Sequence, residues 1–296
     1  MIFELFIALI AQPLMNSFVH ESLLIDSQRE VETQSITPRQ SDIIDVPLSA
    51  QSAILIDESS GVILYEKDAH TKRSIASITK LMTVLVFLDQ KIDMNKEIVM
   101  QKEDRHQGGI EHFLVGESIR VADLVYATLV GSDNEGAYLL MRASGMSKQD
   151  FVTAMNQKAQ SLGMQATEFT EPSGLDAGNV STAHDLVLLL RAARSQPLIA
   201  DATTRSSYSF EVKYQEEVRD VKVVATNYLT SSSYLEIITA KTGYLPQAGY
   251  CLAALLTGQH KRNISAIVLG ATTIESRFAD IKALEFISSQ LYEYHN

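Results

Sequence analysis

Three short motifs, each present once and in a fixed order, constrain this chain more than any other feature. They are SITK at residues 77–80, SDN at residues 132–134 and KTG at residues 241–243. Together they supply a hydroxyl nucleophile, two amines that can act as bases or cations, and a side-chain amide. These groups act together only if the fold brings three distant segments into contact. The chain must therefore close all three onto one site.

Each motif by itself is a weak signal. At average amino-acid usage an S-x-x-K sequence occurs by chance about once in a chain of this length. Alone it is more often a pair on a helix surface, and K-T-G alone is more often a strand leading into a turn. The ordered set is far more specific, because the motifs fall at a helix start, a helix–loop junction and a late strand. The combination favours catalysis over coincidence.

Length and charge limit the classes of function. The 296 residues suffice for one large domain or for a core with an inserted subdomain. The formal net charge of −11 argues against nucleic acid as a partner, since phosphate binding requires clustered Lys and Arg. The seven histidines show no metal-ligand spacing, so we expect neither a metal nor another cofactor.

The N-terminus differs in composition from the rest of the chain. Residues 2–15 are largely apolar, and a polar stretch follows them. We expect residues 1–20 to be an export signal or membrane anchor and residues 21–50 to be a polar linker, which places the protein on the periplasmic or cell-wall side of the membrane. An ordinary N-terminal helix is the alternative, because Glu4 stands where a signal peptide carries a cation.

Apolar periodicity predicts the organisation of residues 51–296. Two apolar runs, 53–57 and 62–66, flank a turn and predict a hairpin. Helical spacing begins after Ser77, and strand patterns return after residue 206 before a final amphipathic helix. This order predicts an α/β (α+β) fold with an antiparallel five-stranded sheet flanked by helices. A helical subdomain, residues 85–200 approximately, is inserted in it, with the site at the junction.

Two helix starts can be identified from single residues within this region. Ser147 and Thr182 are each followed three residues later by an aspartate, a spacing typical of helix N-caps. These positions predict two further helices beginning just after them.

The first motif predicts a nucleophile and its base. Ser77 and Lys80 lie three residues apart on a helix, so hydroxyl and amine share a face. A serine hydroxyl reacts poorly until a base takes its proton, and a free lysine with a pKa of about 10.4 is charged at neutral pH. Burial and a second cation, Lys241, would both lower the pKa of Lys80. We therefore predict that the two lysines are coupled.

The second motif predicts groups that act on the leaving group and on the substrate. Ser132 can relay a proton between Lys80 and a leaving amine, and the amide of Asn134 can hold a substrate carbonyl. Asp133, between them, is expected to point away and to serve packing or capping.

The third motif predicts an anion-binding strand end. Lys241 gives a positive field for an anionic substrate and Thr242 gives a hydrogen bond. Gly243 leaves room for another backbone to approach closely.

Longer segments around the motifs carry a family resemblance. They are SIASITKLMT at residues 74–83, PSGLD at 172–176, STA at 181–183, and KTGY at 241–244 followed by AGY at 248–250. On these segments the chain resembles the low-molecular-weight penicillin-binding proteins that are serine D-alanyl-D-alanine carboxypeptidases and endopeptidases, with a β-lactamase-like fold. The resemblance extends from about residue 53 to the C-terminus.

The resemblance implies a reaction and its partners. The substrates would be peptidoglycan stem peptides ending in D-Ala-D-Ala, or their D-alanyl cross-links, and β-lactam antibiotics would bind covalently. Ser77, Lys80 and Ser132 would be catalytic. Backbone N–H groups of Ser77 and Tyr244 would form an oxyanion hole. The expected substrate-binding residues are Asn134, Lys241, Thr242, Gly243, Tyr244 and Arg277, of which Arg277 matches an arginine that assists carboxylate binding in related enzymes.

Two other functions stay open at this point: a sensor module that binds β-lactams or muropeptides without turnover, and a β-lactamase. Glu171 stands where the family often has Asn, but the Glu-x-x-Leu-Asn context of a β-lactamase deacylation base is missing, so we expect Glu171 to be structural. The chain ends soon after the closing helix, without the extra β-domain and C-terminal membrane-binding helix of many carboxypeptidases, and this shorter form resembles the endopeptidase branch. The sequence leaves carboxypeptidase and endopeptidase both open.

Overall fold

The computed structural model describes residues 36–38, 46–106, 108–232, 235–258, 261–290 and 292–294. The strands are β1 (Ile36–Pro38), β2 (Ser52–Asp57), β3 (Ile63–Lys67), β4 (Arg73–Ser74), β5 (Glu97–Val99), β6 (Ser118–Arg120), β7 (Val180–Ser181), β8 (Ser207–Tyr214), β9 (Glu217–Val224), β10 (Glu236–Leu245), β11 (Gly249–Thr257), β12 (Asn263–Ala271) and β13 (Tyr292–Tyr294). The α-helices are α1 (Thr79–Asp89), α2 (Val121–Val130), α3 (Asn134–Ala143), α4 (Lys148–Ser161), α5 (Ala183–Arg194), α6 (Pro197–Thr204) and α7 (Ile274–Gln290).

The main sheet has five antiparallel strands in the order β10-β11-β12-β2-β3, which confirms the predicted sheet. The predicted hairpin forms β2 and β3, and β2 pairs with β12 so that Ile54 lies opposite Ile267. Strands β2 and β3 therefore come from the N-terminal part of the chain, and β10, β11 and β12 come from the C-terminal part. This arrangement brings the turn that precedes α1 beside β10, the strand that carries the KTG motif.

Both faces of the sheet are covered, and strand periodicity decides which side chain enters which core. Successive strand residues point to opposite faces. In β2, Ile54 packs in the core that includes α1, whereas Ala53 and Leu55 pack in the core that includes α7. The predicted amphipathic C-terminal helix is α7, which buries Phe278, Ile281, Leu284 and Ile287 on this second face.

A second sheet was not predicted. The strands expected near residues 207–213 and 220–224 form β8 and β9, and they join β5 and β6 in a four-stranded sheet of their own. The two short partners, β5 and β6, have three residues each, too few for a period-two pattern to be detected.

The helices between the sheets begin where the capping residues predict. The hydroxyl of Ser147 accepts a hydrogen bond from the Asp150 backbone N–H, and the hydroxyl of Thr182 accepts one from Asp185. Helix α1 lies at the centre of this region, in contact with α3, α4 and α5. Its residues from Thr79 to Phe87 are buried, including Lys80.

Part of the segment predicted as a linker belongs to the fold. Leu48 and Ala50 are buried on the α7 face of the sheet, and the Asp280 carboxylate accepts hydrogen bonds from the backbone N–H groups of Ser49 and Ala50. Residues 36–38 pair with 292–294 as β1 and β13. The packed fold therefore starts before residue 51. The prediction missed this because the two apolar residues that pack here stand among polar ones.

The predicted signal or anchor segment, residues 1–20, lies outside the described residues. Within the part of the chain that the structure describes, no helix combines the length and apolar character needed to cross a bilayer.

Candidate active site

The nucleophile candidate lies in a tight turn at the start of α1. Ser77 belongs to a 3-10 turn, Ala76–Ile78, that leads directly into the helix, and Ala76 has a positive φ of 46°. Positive φ is strained for a residue with a Cβ, and such strain concentrates at functional sites. The turn aims the Ser77 hydroxyl at Lys80, whose Nζ lies 2.8 Å from Ser77 Oγ.

Lys80 is fully buried, and its amine has three hydrogen-bond partners. Its amine donates to Ser77 Oγ, to Asn134 Oδ1 at 2.7 Å and to the backbone carbonyl of Ser173. A protonated lysine has three N–H donors, so this set satisfies all of them. The predicted proximity of hydroxyl and amine is therefore present, and Asn134 and Ser173 complete the set of acceptors.

Burial is the main cause of an altered Lys80 pKa. Desolvation disfavours the charged amine, while the negative charges of Glu171 and Asp133 favour it, and the net result lowers the pKa of Lys80 to about 7. A lysine with this pKa is neutral for a large fraction of the time at neutral pH. Lys80 is thus suited to accept a proton from Ser77.

The second lysine holds the second serine. Lys241 Nζ donates to Ser132 Oγ at 2.7 Å and to the backbone carbonyl of Thr242 at 3.1 Å. Burial lowers the pKa of Lys241 well below its usual value, and the positive charges of Lys80 and Arg277 lower it further. The charge of Lys80 therefore acts on the pKa of Lys241, whereas the expected lowering of the Lys80 pKa by Lys241 does not occur: the charges that act on Lys80 are those of Glu171 and Asp133, and both raise its pKa.

The SDN motif forms the turn between α2 and α3. Ser132 has a positive φ of 58°, and Asp133 caps α3 by accepting a hydrogen bond from the Gly136 backbone N–H. The second oxygen of Asp133 lies 2.6 Å from His112 Nδ1. Asp133 thus points away from Ser77 and serves capping, as expected, and its neighbours Ser132 and Asn134 turn toward the two lysines.

The amide of Asn134 is bonded within the protein at both ends. Asn134 Oδ1 accepts from Lys80, and Nδ2 donates to the backbone carbonyl of Gly108 at 2.7 Å. The amide nitrogen has a second N–H, so its hydrogen bond to a substrate carbonyl stays a prediction. The contact with Lys80 adds a role that the sequence did not predict, because only the fold brings α1 beside this amide.

Gly243 lets the nucleophile turn pack against β10, as the third motif predicts. A Cβ at this position would lie 2.6 Å from the Ile75 carbonyl oxygen and 3.2 Å from the Ser77 backbone nitrogen. Any side chain would therefore push the strand away from the nucleophile. The next residue, Tyr244, is 49% exposed and stacks on Tyr250 with ring centroids 4.3 Å apart.

Arg277 lies beside the end of the KTG strand. Its guanidinium donates to the carbonyl oxygens of Gly243 at 3.3 Å and Thr226 at 3.4 Å. The residue is buried, and among the described residues its Nε finds no partner. Buried polar atoms normally have partners, so this N–H is an exception in the part of the chain that the structure describes.

A match to a family model decides the class of the chain. The model of D-alanyl-D-alanine carboxypeptidases, peptidase S11, matches residues 37–273. The chain belongs to this family. It is accordingly a serine-type D-alanyl-D-alanine hydrolase of the penicillin-binding class, which confirms the resemblance and the class of reaction drawn from the three motifs.

Individual S11 relatives match over most of the chain. The D-alanyl-D-alanine endopeptidase of Pseudomonas aeruginosa is 34% identical over 239 residues, which cover 80% of this chain and 76% of the relative. The D-alanyl-D-alanine carboxypeptidase DacF of Bacillus subtilis is 33% identical over 255 residues, covering 83% of this chain and 64% of that protein.

Solved structures agree with the fold. The Streptomyces K15 DD-transpeptidase superposes with a TM-score of 0.78 at 26% identity, covering 83% of this chain and 99% of that one. Penicillin-binding protein D2 of Listeria monocytogenes, in its cefotaxime-bound form, superposes with a TM-score of 0.71 at 28% identity, covering 82% and 98%. The predicted fold class is confirmed.

Two site residues of this S11 peptidase were not identified from the sequence. Thr226, in the loop after β9, has its Oγ1 2.6 Å from Thr242 Oγ1. Ser173 contributes its backbone carbonyl to Lys80. A backbone contact leaves no signature in side-chain identity, but Ser173 lies within the PSGLD segment that carried the resemblance.

Proposed function

We propose that the chain hydrolyses the D-alanyl bond of peptidoglycan stem peptides through an acyl-enzyme on Ser77. One observation carries this proposal: the Lys80 amine is fully buried, has a pKa of about 7, and lies 2.8 Å from Ser77 Oγ. A base with a pKa near the working pH is the most effective partner for a weak nucleophile.

Acylation begins when neutral Lys80 takes the Ser77 hydroxyl proton. Ser77 Oγ then forms a bond to the D-alanyl carbonyl carbon, and the carbonyl oxygen takes up the negative charge. We assign its stabilisation to the backbone N–H groups of Ser77 and Tyr244, since Gly243 brings that strand end beside the Ser77 nitrogen. The C–N bond breaks when the leaving nitrogen receives a proton.

We assign the delivery of that proton to Ser132. Its Oγ accepts a hydrogen bond from Lys241, so its own O–H is free to point at the leaving nitrogen. The proton gained by Lys80 then passes to Ser132, because Ser77 Oγ is now esterified, and Lys80 is neutral again. In the second half, Lys80 takes a proton from the water that attacks the Ser77 ester, and it gives this proton to Ser77 Oγ as the acid product leaves.

Recognition of the terminal carboxylate follows from the strand end. We assign it to Lys241, Thr242 and Arg277, because a lysine amine, a hydroxyl and a guanidinium border the same segment of β10. Charge-assisted hydrogen bonds from such groups favour a carboxylate over a neutral end.

The S11 relatives carry the names of both carboxypeptidase and endopeptidase. The two reactions share the acyl-enzyme and differ in the leaving amine, which is free D-Ala in one and a cross-linked side chain in the other. We infer that the chain is a carboxypeptidase or a cross-link endopeptidase of this kind, which are distinguished by the leaving amine. Because these substrates lie in the cell wall, we place the enzyme outside the cytoplasm, with residues 1–20 as its export signal or tether.

A penicillin tests the nucleophile assignment. Incubation of folded protein with benzylpenicillin and intact-mass spectrometry should give one adduct per chain, located on Ser77 by peptide mapping, and none in Ser77→Ala. Absence of an adduct on folded wild-type protein would contradict the proposal. Rapid turnover of nitrocefin would instead assign the chain as a β-lactamase.

A second assay identifies the reaction. Release of free D-alanine from a pentapeptide is compared with cleavage of a cross-linked muropeptide dimer at equal enzyme concentration. Hydrolysis of either substrate supports a peptidase, and the ratio of the two rates measures its preference. An adduct with penicillin but no hydrolysis of either substrate would favour the sensor function.

A further inference from the structure

Glu171 is a buried carboxylate that the mechanism above does not use. It is 3% exposed and accepts hydrogen bonds from five neutral donors. They are the backbone N–H groups of Ser173 and Gly174, the hydroxyls of Ser173 and Tyr138, and the side-chain amide of Asn179. A carboxylate that accepts this many bonds fixes the backbone around it.

The turn that Glu171 fixes touches both members of the nucleophile pair. Lys80 donates to the carbonyl of Ser173. Gly174 has a φ of +88°, and a Cβ there would lie 2.7 Å from the Ser77 backbone nitrogen. Residues 171–174 therefore pack directly against the nucleophile turn and the base.

The contact with Ser173 matters most when Lys80 is neutral. A neutral amine keeps two N–H donors and one lone pair. If Asn134 Oδ1 and the Ser173 carbonyl accept the two donors, the lone pair is directed at the third neighbour, Ser77 Oγ. The two acceptors thus set the direction in which the base can take a proton.

We propose that Glu171 is a positioning residue for the general base: it holds residues 171–174 so that the Ser173 carbonyl directs the lone pair of Lys80 at Ser77. The inference rests on the proposed function, because it assigns Lys80 as that base. Glu171 itself touches neither the nucleophile hydroxyl nor the leaving group in this scheme.

The same carboxylate also acts through its charge. Glu171 raises the pKa of Lys80 against the larger effect of burial, so it makes the amine a stronger base but reduces its neutral fraction. Removal of the charge without loss of side-chain length lowers the Lys80 pKa. A residue with a purely structural role would leave that pKa unchanged.

Two substitutions separate the effect of side-chain length from the effect of charge. Glu171→Gln keeps the side-chain length but removes the charge and one acceptor oxygen, whereas Glu171→Asp keeps the charge but shortens the side chain. Glu168→Gln is the matched control, since Glu168 is exposed and precedes the turn. The rate constant for acylation by a fluorescent penicillin is measured from pH 5 to pH 9, with circular dichroism to establish folding.

We expect Glu171→Gln to lower the plateau rate constant by about ten- to a hundredfold and to move the acid limb of the profile to lower pH. Glu171→Asp should lower the rate by a similar factor with the acid limb unmoved. The control should match the wild type, which must itself be acylated. Lack of acylation in wild-type and control proteins would be a failure of the proposed function instead.

Two results would overturn the role of Glu171. One is a folded Glu171→Gln protein with the wild-type rate and acid limb. The other is a uniform loss of rate at every pH, with no displacement of the limb. If Glu171→Gln does not fold, Glu171→Asp decides alone, and a wild-type rate in that variant overturns the proposal.

Discussion

Lys241 Nζ lies 2.7 Å from Ser132 Oγ, so the second lysine of the site is bonded to the second serine and the first lysine to the first. The site therefore contains two serine–lysine pairs, Ser77 with Lys80 and Ser132 with Lys241. The first pair activates the nucleophile in our scheme, and the second supplies the leaving group with a proton.

This division of labour predicts different effects of Ser132→Ala on two substrates. Hydrolysis of an amide substrate should fall by roughly a hundredfold or more, because the leaving nitrogen needs a proton. Acylation by a thioester analogue should fall far less, because a thiolate leaves without one. Steady-state kinetics on both substrates measures the difference, with the exposed Ser209→Ala as control. Equal losses of rate on the two substrates would show that Ser132 acts in activation of the nucleophile and not on the leaving group.

The pH dependence of acylation should follow Lys80. Its pKa of about 7 is lowered from the usual value, so the amine is protonated and inactive as a base below that pH. The acylation rate should fall about tenfold per pH unit below pH 7 and level off above it. Labelling with a fluorescent penicillin between pH 5 and pH 9 measures the profile.

Replacement of this base by arginine should remove the activity while keeping a cation. A guanidinium does not lose its proton in proteins. Lys80→Arg should therefore lower acylation by about 10²- to 10⁴-fold across the whole pH range. The exposed Lys72→Arg is the matched control. A Lys80→Arg protein with near wild-type labelling would exclude Lys80 as the base.

Two glycines with similar backbone angles should respond differently to alanine. Gly145 and Gly174 have φ values of +79° and +88°, and a Cβ at Gly145 would meet nothing within 4 Å. Gly145→Ala should cost only the left-handed strain, about 1 kcal/mol of unfolding free energy. Gly174→Ala adds a collision with the backbone of Ala76 and should cost ~3 kcal/mol more. Urea unfolding of both variants tests this. Equal losses of unfolding free energy would show that the turn at Gly174 can move to accept the added methyl group without cost.

Acid stability should depend on a buried ion pair at the end of β2. Asp57 receives a bidentate contact from Arg262, with N···O distances of 2.8 and 2.9 Å. Burial opposes ionisation of Asp57, but hydrogen bonds from Arg262, Ser60 and Ser59 outweigh it and lower the pKa to about 2. Because the folded-state pKa is depressed, the stabilisation is complete above about pH 4, the value of an unfolded aspartate, and is lost as pH falls toward 2.

The magnitude of that loss is about 2 kcal/mol for the wild type. Urea unfolding at pH 6, 4, 3 and 2 should reveal it, and Asp57→Asn should reduce the pH dependence by that amount. Asp220→Asn, on the exposed edge of β9, should leave the wild-type dependence intact. A wild-type stability that does not change between pH 4 and pH 2 would contradict the pKa assignment.

Local sequence patterns specify most of the individual elements and the reactive groups that they carry. Short apolar runs identify β2, β3, β11 and β12, the hydroxyls of Ser147 and Thr182 identify two helix starts, and the three motifs identify the nucleophile and the two lysines. Those signals are readable because they arise from neighbours within about four residues, whose contacts follow from chain geometry alone.

Which of these groups come into contact depends on long-range packing. Only the closed fold pairs Lys241 with Ser132, brings Asn134 to Lys80, and places the Ser173 carbonyl on that amine from 93 residues away. It also sets the pKa of Lys80, because desolvation depends on the whole shell of atoms around the amine. Burial and long-range contacts depend on how distant segments pack together, and no local pattern along the chain encodes them.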